Sequence, residues 1–389
     1  MSLVLLFTAI AAALPIDQTK EISKIAFGSC HHHNRAKNPE IFHSISQWKP
    51  DLFLWLGDAV YADILYTHFI SFPNNIENWR MLYNKLKNIS EYQELINTSM
   101  ISGVWDDHDY GINDGDKTFS MKNESKQLFL EFLGENNSER WNHDGLYQSY
   151  TFGNNGKRIK IILIDIRWFR DNKKDTDGDS LGEEQWNWLE KELKNPGDIT
   201  IIGNGLQITV QDRLGPTERW HDKSYNRLMK NLEKVPGAIL LSGDVHIGEI
   251  LKQNCNKYTI YEVTSSGMTH TAYTVFGYIG LFLSTFDLHF GNNVGPRIYE
   301  FNYGTLEVDW NSRTIEMAIR DSFGNILQSE LITIEKLKTP IEKPSYYCGK
   351  TSFYINSTHI LSMTVVFACP AFILLMALII ALRKYSHTY

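Results

Sequence analysis

Short apolar runs and stretches of helical period alternate along most of the chain, the pattern of α/β construction. KIAFGSC (24–30), DLFLWLGD (51–58), SMISGVWD (99–106), RIKIILID (158–165), DITIIGNG (198–205) and GAILLSGD (237–244) are rich in aliphatic and β-branched residues and read as buried strands. Among them, NPEIFHSISQWK (38–49) reads as a helix with Pro39 at its start. LGEEQWNWLEKELKN (181–195) sets Leu181, Trp186, Leu189 and Leu193 on one face of another, and a further helix is expected over Asp222 to Leu232. From Tyr258 onward the chain turns mostly to strands, in YTIYEVTSS, GTLEVDW, TIEMAIR and ILQSELITI. Trp55, Trp105 and Trp168 lie on or beside the buried runs and are expected in the core.

What ends each run is polar. The predicted strands finish on Cys30, Asp58, Asp106–Asp107, Asp165, Asn204 and Asp244. One such residue is an ordinary turn or helix cap, but ligands in α/β sheets gather at the carboxyl ends of strands, and several polar ends on one edge make a ring of metal-type ligands. WDDHDYGINDGD (105–116) concentrates five carboxylates and a histidine, which repel one another unless a cation holds them.

The two ends of the chain carry the longest apolar runs. Residues 1–14, MSLVLLFTAIAAAL, read as a signal peptide that lacks a basic start and is too short to span a bilayer. Residues 360–382, ILSMTVVFACPAFILLMALIIAL, carry no charge and suit one transmembrane helix, with Arg383 and Lys384 as the cytoplasmic flank. The topology expected is a single-pass type I membrane protein: an extracellular or lumenal body (15–345), a juxtamembrane linker (346–359), the helix and a short cytoplasmic tail (383–389). Sequons at Asn88, Asn97, Asn123, Asn136 and Asn356 agree with a secreted, glycosylated body. In that oxidising compartment Cys255 and Cys348 are the natural disulfide pair. Cys30 is left over in the body and needs another role. The body is about the upper size of a single domain. The formal charge of −7, without a basic cluster, argues against a nucleic-acid partner.

The chemistry sits in GSC (28–30), GDAVYAD (57–63), WDDHDYG (105–111), SGDVH (242–246) and SSGMTH (265–270). Carboxylates suit calcium, magnesium or manganese, whereas a thiolate and a phenolate favour iron or another transition metal. Two neighbouring cations clamp a phosphoryl group and share a hydroxide nucleophile. With LIDIRWFRD, LGEEQWNWLEKEL and NYGTLEVDW, these blocks resemble the alkaline phosphatase D-like metallophosphoesterases, in order, from about residue 22 to 335.

That resemblance implies a calcineurin-like sandwich of two mixed β-sheets flanked by helices, and a site holding iron (Fe3+) and calcium, with magnesium, manganese or zinc as substitutes. Position by position, it implies Asp58 as the bridging ligand, Cys30 and Tyr61 as sulfur and phenolate ligands, and Asp107, Asp244 and His246 as further ligands. His108 is implied as the phosphate contact that helps protonate the leaving group, and Arg167 as a second substrate contact. Asp106, Asp109 and Asp165 are expected to position these groups from behind. The function implied is a membrane-anchored phosphoesterase that hydrolyses phosphate esters with a metal-bound hydroxide, of undetermined preference between monoesters and diesters. The alternative is a non-catalytic cell-surface metal-binding protein that keeps the fold. Completeness of the ligand set favours the enzyme.

Three features invite over-reading. His31, His32 and His33 follow a strand and point in different directions, so at most one faces the site, and none is assigned as a ligand. DTDGDSLGEEQW (175–186) imitates half of a calcium loop but has Ser180 at the glycine position and Trp186 at the bidentate glutamate position, so it reads as a loop leading into a helix. YTVFGYIGLFLSTF (273–286) reads first as a helix buried in the core, the alternative being a lid or membrane-contacting loop.

Overall fold

The computed structural model describes residues 14–32, 40–63, 75–154, 156–210, 218–254, 256–272 and 294–344. The signal-peptide residues 1–13, His33, Cys255, Cys348, Asn356, the apolar stretch 273–286, the linker and the 360–382 segment lie outside the described residues. Among the described residues, no helix is long and apolar enough to cross a membrane.

Among the described residues, twelve strands form two sheets. The first contains β1 (Lys24–Gly28), β2 (Leu52–Leu56), β3 (Met100–Val104), β10 (Asn302–Asp309), β11 (Thr314–Asp321) and β12 (Ile326–Thr333), in the order β12-β11-β10-β1-β2-β3. The second contains β4 (Gln148–Phe152), β5 (Ile159–Leu163), β6 (Ile199–Gly203), β7 (Ala238–Ser242), β8 (Gly248–Gln253) and β9 (Ile260–Ser265), in the order β4-β5-β6-β7-β9-β8. In the first sheet β1, β2 and β3 run parallel along one side and β10, β11 and β12 pair antiparallel on the other; in the second, β5, β6, β7 and β9 run parallel between the antiparallel edge strands β4 and β8. Both sheets are mixed, as expected.

Side-chain alternation along these strands builds three apolar layers. From β5, β6 and β7, Ile161, Leu163, Ile201, Ile239 and Leu241 join the core shared with the first sheet. Their neighbours Ile162, Ile202 and Leu240 point the other way, onto Trp186 and Leu189 of α6 (Gly182–Leu193) and Leu228 of α7 (Asp222–Leu232). On the first sheet, Trp55 faces Phe42 of α1 (Glu40–Trp48), Tyr92 of α3 (Ser90–Thr98) and Phe132 of α5 (Lys122–Leu133), and its indole N–H donates to Tyr92 Oη at 3.0 Å. Strands covered on both faces need no polar alternation, which is why β2 reads as an unbroken apolar run. The three tryptophans expected in the core are all buried.

Several elements had no clear sequence signal. β4 and β8 are outer strands paired on one side only, and α2 (Ile76–Lys87), α3 and α5 carry many polar residues. The run 99–106 stops being a strand at Val104, and Asp107–Tyr110 forms a single helical turn, α4. The imitation calcium loop is a helix entry. Asp179 accepts the N–H groups of Leu181 and Gly182 and the indole of Trp186, while Asp177 pairs with Lys223.

Candidate metal centre

The parallel strands of both sheets deliver their carboxyl ends to one edge of the sandwich. β1 leads to Cys30, β2 to Asp58, β3 to Asp106 and Asp107, β6 to Asn204 and β7 to Asp244. Cys30, Asp58, Asp244 and His246 all adopt left-handed backbone, with φ of 59°, 53°, 69° and 58°. That conformation is costly for residues with a Cβ and persists where surrounding structure over-determines it, typically at ligand sites. The approach of the two sheets is close. A Cβ on Gly57 (φ 88°) would lie 2.3 Å from Asp106 Cβ, and one on Gly205 would lie 2.6 Å from the same atom. Asp106 is therefore wedged between the loops after β2 and β6.

Two groups of side chains meet there. In the first, Cys30 Sγ and Tyr61 Oη both donate to Asp58 Oδ2, at 3.4 and 3.0 Å. Cys30 Sγ also lies 3.0 Å from Ser266 Oγ. Burial pushes the Cys30 thiol up to about 11. Burial, then the neighbouring Cys30, Asp107 and Asp106, push Asp58 well above the usual carboxylate range. In the second group, Asp106, Asp107 and Asp244 bring carboxylate oxygens within 4.8 Å of one another, and Asp58 and Asp107 oxygens meet a ring nitrogen of His108 equally closely. Burial and then Asp107 and Glu218 push Asp244 up to about 7. Burial acts the same way on Asp107, but His108, Arg167 and the N–H groups of Asp114 and His108 outweigh it and hold Asp107 at about 2.

These residues fit cations. Asp58 Oδ1 and Asp106 Oδ2 are buried and meet no hydrogen-bond donor among the described residues, a condition costly for an ionised carboxylate unless a cation is present. Around Asp58 the carboxylate oxygens have one thiol and one phenol beside them, and that chemistry suits a hard cation next to a softer one.

The other expected residues take distinct places. His108 is buried, with Nδ1 held 2.8 Å from Asp63 Oδ1. Burial opposes its positive charge, but Asp63, Asp107 and Asp58 hold the imidazolium well above its ordinary value. His246 receives its backbone position from Ser266 Oγ and lies with its ring 4.3 Å from that of His270. Asp109 accepts from Ala59 N, Val60 N and Tyr83 Oη, so it braces the loop that carries Asp58 and Tyr61. Asp165 accepts from Trp105 Nε1, Leu146 N, Arg167 N and Trp168 N, and so holds the chain behind the site. Arg167 is fully buried between Asp106 and Glu218. Of the histidine run, His32 stacks on Tyr61, while His31 packs against Phe42 and Trp55.

Sequence reasoning left out Asp63, Asn204, Glu218, Ser266 and His270. Asp63 lies inside GDAVYAD, Ser266 and His270 inside SSGMTH, and Asn204 among the polar strand ends, so each carried a signal that was read without assigning a role. Asn204 Nδ2 is buried without a partner among the described residues. Glu218 lies in an irregular stretch with no motif, and only the fold brings it to Arg167.

A two-sheet sandwich that gathers carboxylates, imidazoles, a thiol and a phenol at the carboxyl ends of its central strands has the layout of a metallophosphoesterase. The chain belongs to the PhoD-like phosphatases, whose sequence model matches residues 25–272, more than half of its length. A solved structure described as "Structure of PhoD" is similar with a TM-score of 0.62 at 14% identity, covering 82% of this chain and 70% of that one. A second, described as GAP50, the anchor in the inner membrane complex of Plasmodium, has a TM-score of 0.46 at 12% identity, covering 84% of this chain and 91% of that one. No curated protein matches the sequence.

Proposed function

We propose that the chain is a metal-dependent phosphoesterase, anchored in a membrane by residues 360–382 with its body on the extracytoplasmic side. The observation that carries the catalytic reading is the buried Asp58 Oδ1, which meets no donor among the described residues, in a PhoD-like phosphatase. Cys30, Tyr61, Asp58 and His246 would hold iron, and Asp58, Asp107 and Asp244, joined by Asn204, would hold calcium. Bound cations supply Lewis acidity toward the phosphoryl oxygens and lower the pKa of a water.

The chain's own residues then do the rest. Asp63 occupies Nδ1 of His108 and keeps the ring protonated, leaving Nε2 to give its proton to the ester oxygen as the phosphorus–oxygen bond breaks. Arg167 holds Asp106 from behind rather than meeting substrate, because both of its faces are taken by carboxylates. Exposure of Asn88, Asn97, Asn123 and Asn136 supports the extracytoplasmic placement, as do the apolar ends of the sequence.

Metal analysis of the purified chain, with activity on a phosphomonoester and a phosphodiester measured in parallel, tests the catalytic reading. Iron with calcium and hydrolysis of at least one ester are expected. Metal-free, inactive protein would leave the non-catalytic reading in its place. Cys30→Ser should lose iron and its thiolate charge-transfer colour, and retention of the colour would remove Cys30 from the ligand set.

A further inference from the structure

The segment after β9 clasps the loops that carry Cys30 and His246. Met268 N–H donates to Ser29 O at 3.1 Å, and the Thr269 and His270 N–H groups donate to Cys30 O at 3.2 and 3.0 Å. Ala272 N–H donates to His246 O at 2.7 Å. Ser266 joins the same two loops through its side chain. Its Oγ accepts from His246 N at 2.7 Å and lies 3.0 Å from Cys30 Sγ, and the residue is fully buried.

The direction of the second bond follows from the protons present. The Cys30 thiol has one proton, and it goes to Asp58 Oδ2 at 3.4 Å. Ser266 Oγ already accepts the His246 N–H, and among the described residues Cys30 Sγ is the acceptor in reach of its own proton. Ser29 Oγ is the other hydroxyl near the sulfur, at 3.6 Å, but it donates to Ser265 O at 3.2 Å. A backbone-capping role for Ser266 accounts for the His246 bond alone. It leaves a buried hydroxyl proton without an acceptor, a cost that the sulfur removes.

We infer that Ser266 is a positioning residue of the metal centre, whose hydroxyl donates to the Cys30 sulfur and sets how much electron density that sulfur gives to iron. The inference rests on Cys30 being an iron ligand in the phosphoesterase reading and deepens it. A ligating thiolate has lost its proton and is a better acceptor than a thiol, so the bond from Ser266 strengthens on loading. Hydrogen bonds to a ligating sulfur draw charge away from the metal. That stabilises the reduced ion and makes the oxidised one a stronger Lewis acid. Because the same oxygen fixes the His246 backbone, Ser266 couples two donors that come from different loops.

Ser266→Ala removes the donor to sulfur, and Ser29→Ala removes the neighbouring hydroxyl that is committed elsewhere. The full chain is loaded with iron and calcium. Its thiolate-to-iron charge-transfer band, Fe3+/Fe2+ potential and retention of iron against a chelator are then measured. In Ser266→Ala the band should move to longer wavelength, the potential should fall, and iron should be held about tenfold less tightly. Ser29→Ala should keep the wild-type band and potential. The wild type supplies a second measurement that does not depend on a variant folding. When iron is loaded in D2O, the iron–sulfur stretching frequency in resonance Raman should differ from its value in H2O, because the exchanged proton lies on the bond to sulfur.

A wild-type band and potential in Ser266→Ala, an equal shift in Ser29→Ala, or a stretching frequency indifferent to D2O would overturn the inference and leave Cys30 as a ligand in a phosphoesterase. An iron-loaded wild type with no thiolate band would remove Cys30 from the ligand set and this inference with it, while ester hydrolysis by the same sample would keep the phosphoesterase reading. Metal-free, inactive wild type would sink both.

Discussion

Asp244 offers the sharpest test of whether the acidic centre is built around cations. Without metal, its carboxyl is pushed from 3.8 up to about 7, first by burial and then by Asp107 and Glu218. In the unfolded chain it ionises near its ordinary value. The folded, metal-free protein therefore holds a proton between about pH 4 and 7 that the unfolded chain has released. The stabilising proton is fully present below that window and lost as the pH rises through 7. A shift from 3.8 to about 7 sets an upper bound of about 4 kcal/mol on the stability lost across it, lowered by the water that reaches the half-buried Asp244. For a chain of this size that is a melting shift of at most about 5 °C.

Asp244→Asn removes the ionisation while keeping shape, and asparagine tolerates the left-handed backbone at φ 69°. In chelator at about pH 8 the variant should melt several degrees above wild type, and at about pH 4 the two should converge. Added calcium should raise the wild type at the higher pH and leave the variant nearly unmoved. A variant less stable than wild type in chelator, or one stabilised equally by calcium, would refute the account of Asp244 as a ligand whose charge needs a cation.

Asp63→Asn should release His108 from its fixed orientation and lower its proton affinity. Turnover of a phenyl ester, whose leaving group needs a proton, should fall about 10²- to 10³-fold, and that of a nitrophenyl ester far less; equal losses would deny His108 the role of proton donor. Gly57→Ala should cost more than about 2 kcal/mol in chemical denaturation, because the new Cβ meets Asp106 Cβ at 2.3 Å and the φ of 88° disfavours it; near-wild-type stability would show that the two loops are not locked together. Tyr83→Phe should weaken the brace on the Asp58 loop by about 1 kcal/mol, since it removes one of the donors to Asp109; a melting point equal to wild type would assign that bracing to the Ala59 and Val60 N–H groups alone.

Much of the layout was already legible along the chain. Strands buried on both faces, such as β2 and β6, need apolar residues at every position, so they stand out without reference to their neighbours. The polar residues that end them had to be either turns or ligands, and their recurrence on several strands favoured ligands, although Asp165 holds the chain behind the site instead. The helix over Asp222–Leu232 and the treatment of Asp175–Trp186 as a helix entry followed from the same local rules. Periodicity, strand ends and motif order depend on sequence neighbours, and that is the information a single chain carries.

What the chain could not show is which side chains claim one another across sheets. Arg167 read as a substrate contact because the family resemblance carries that role onto its position. Only the fold places Asp106 and Glu218 on either side of it, from residues 61 and 51 positions away. Asp63 and His108 are separated by 45 positions and become partners because the loop after β2 lies against α4. The sequence by itself determined the strands buried on both faces, their polar ends and the family. Tertiary structure decided the pairing of charges, because a carboxylate's partner is set by distance in space, and that distance is fixed by how the two sheets pack.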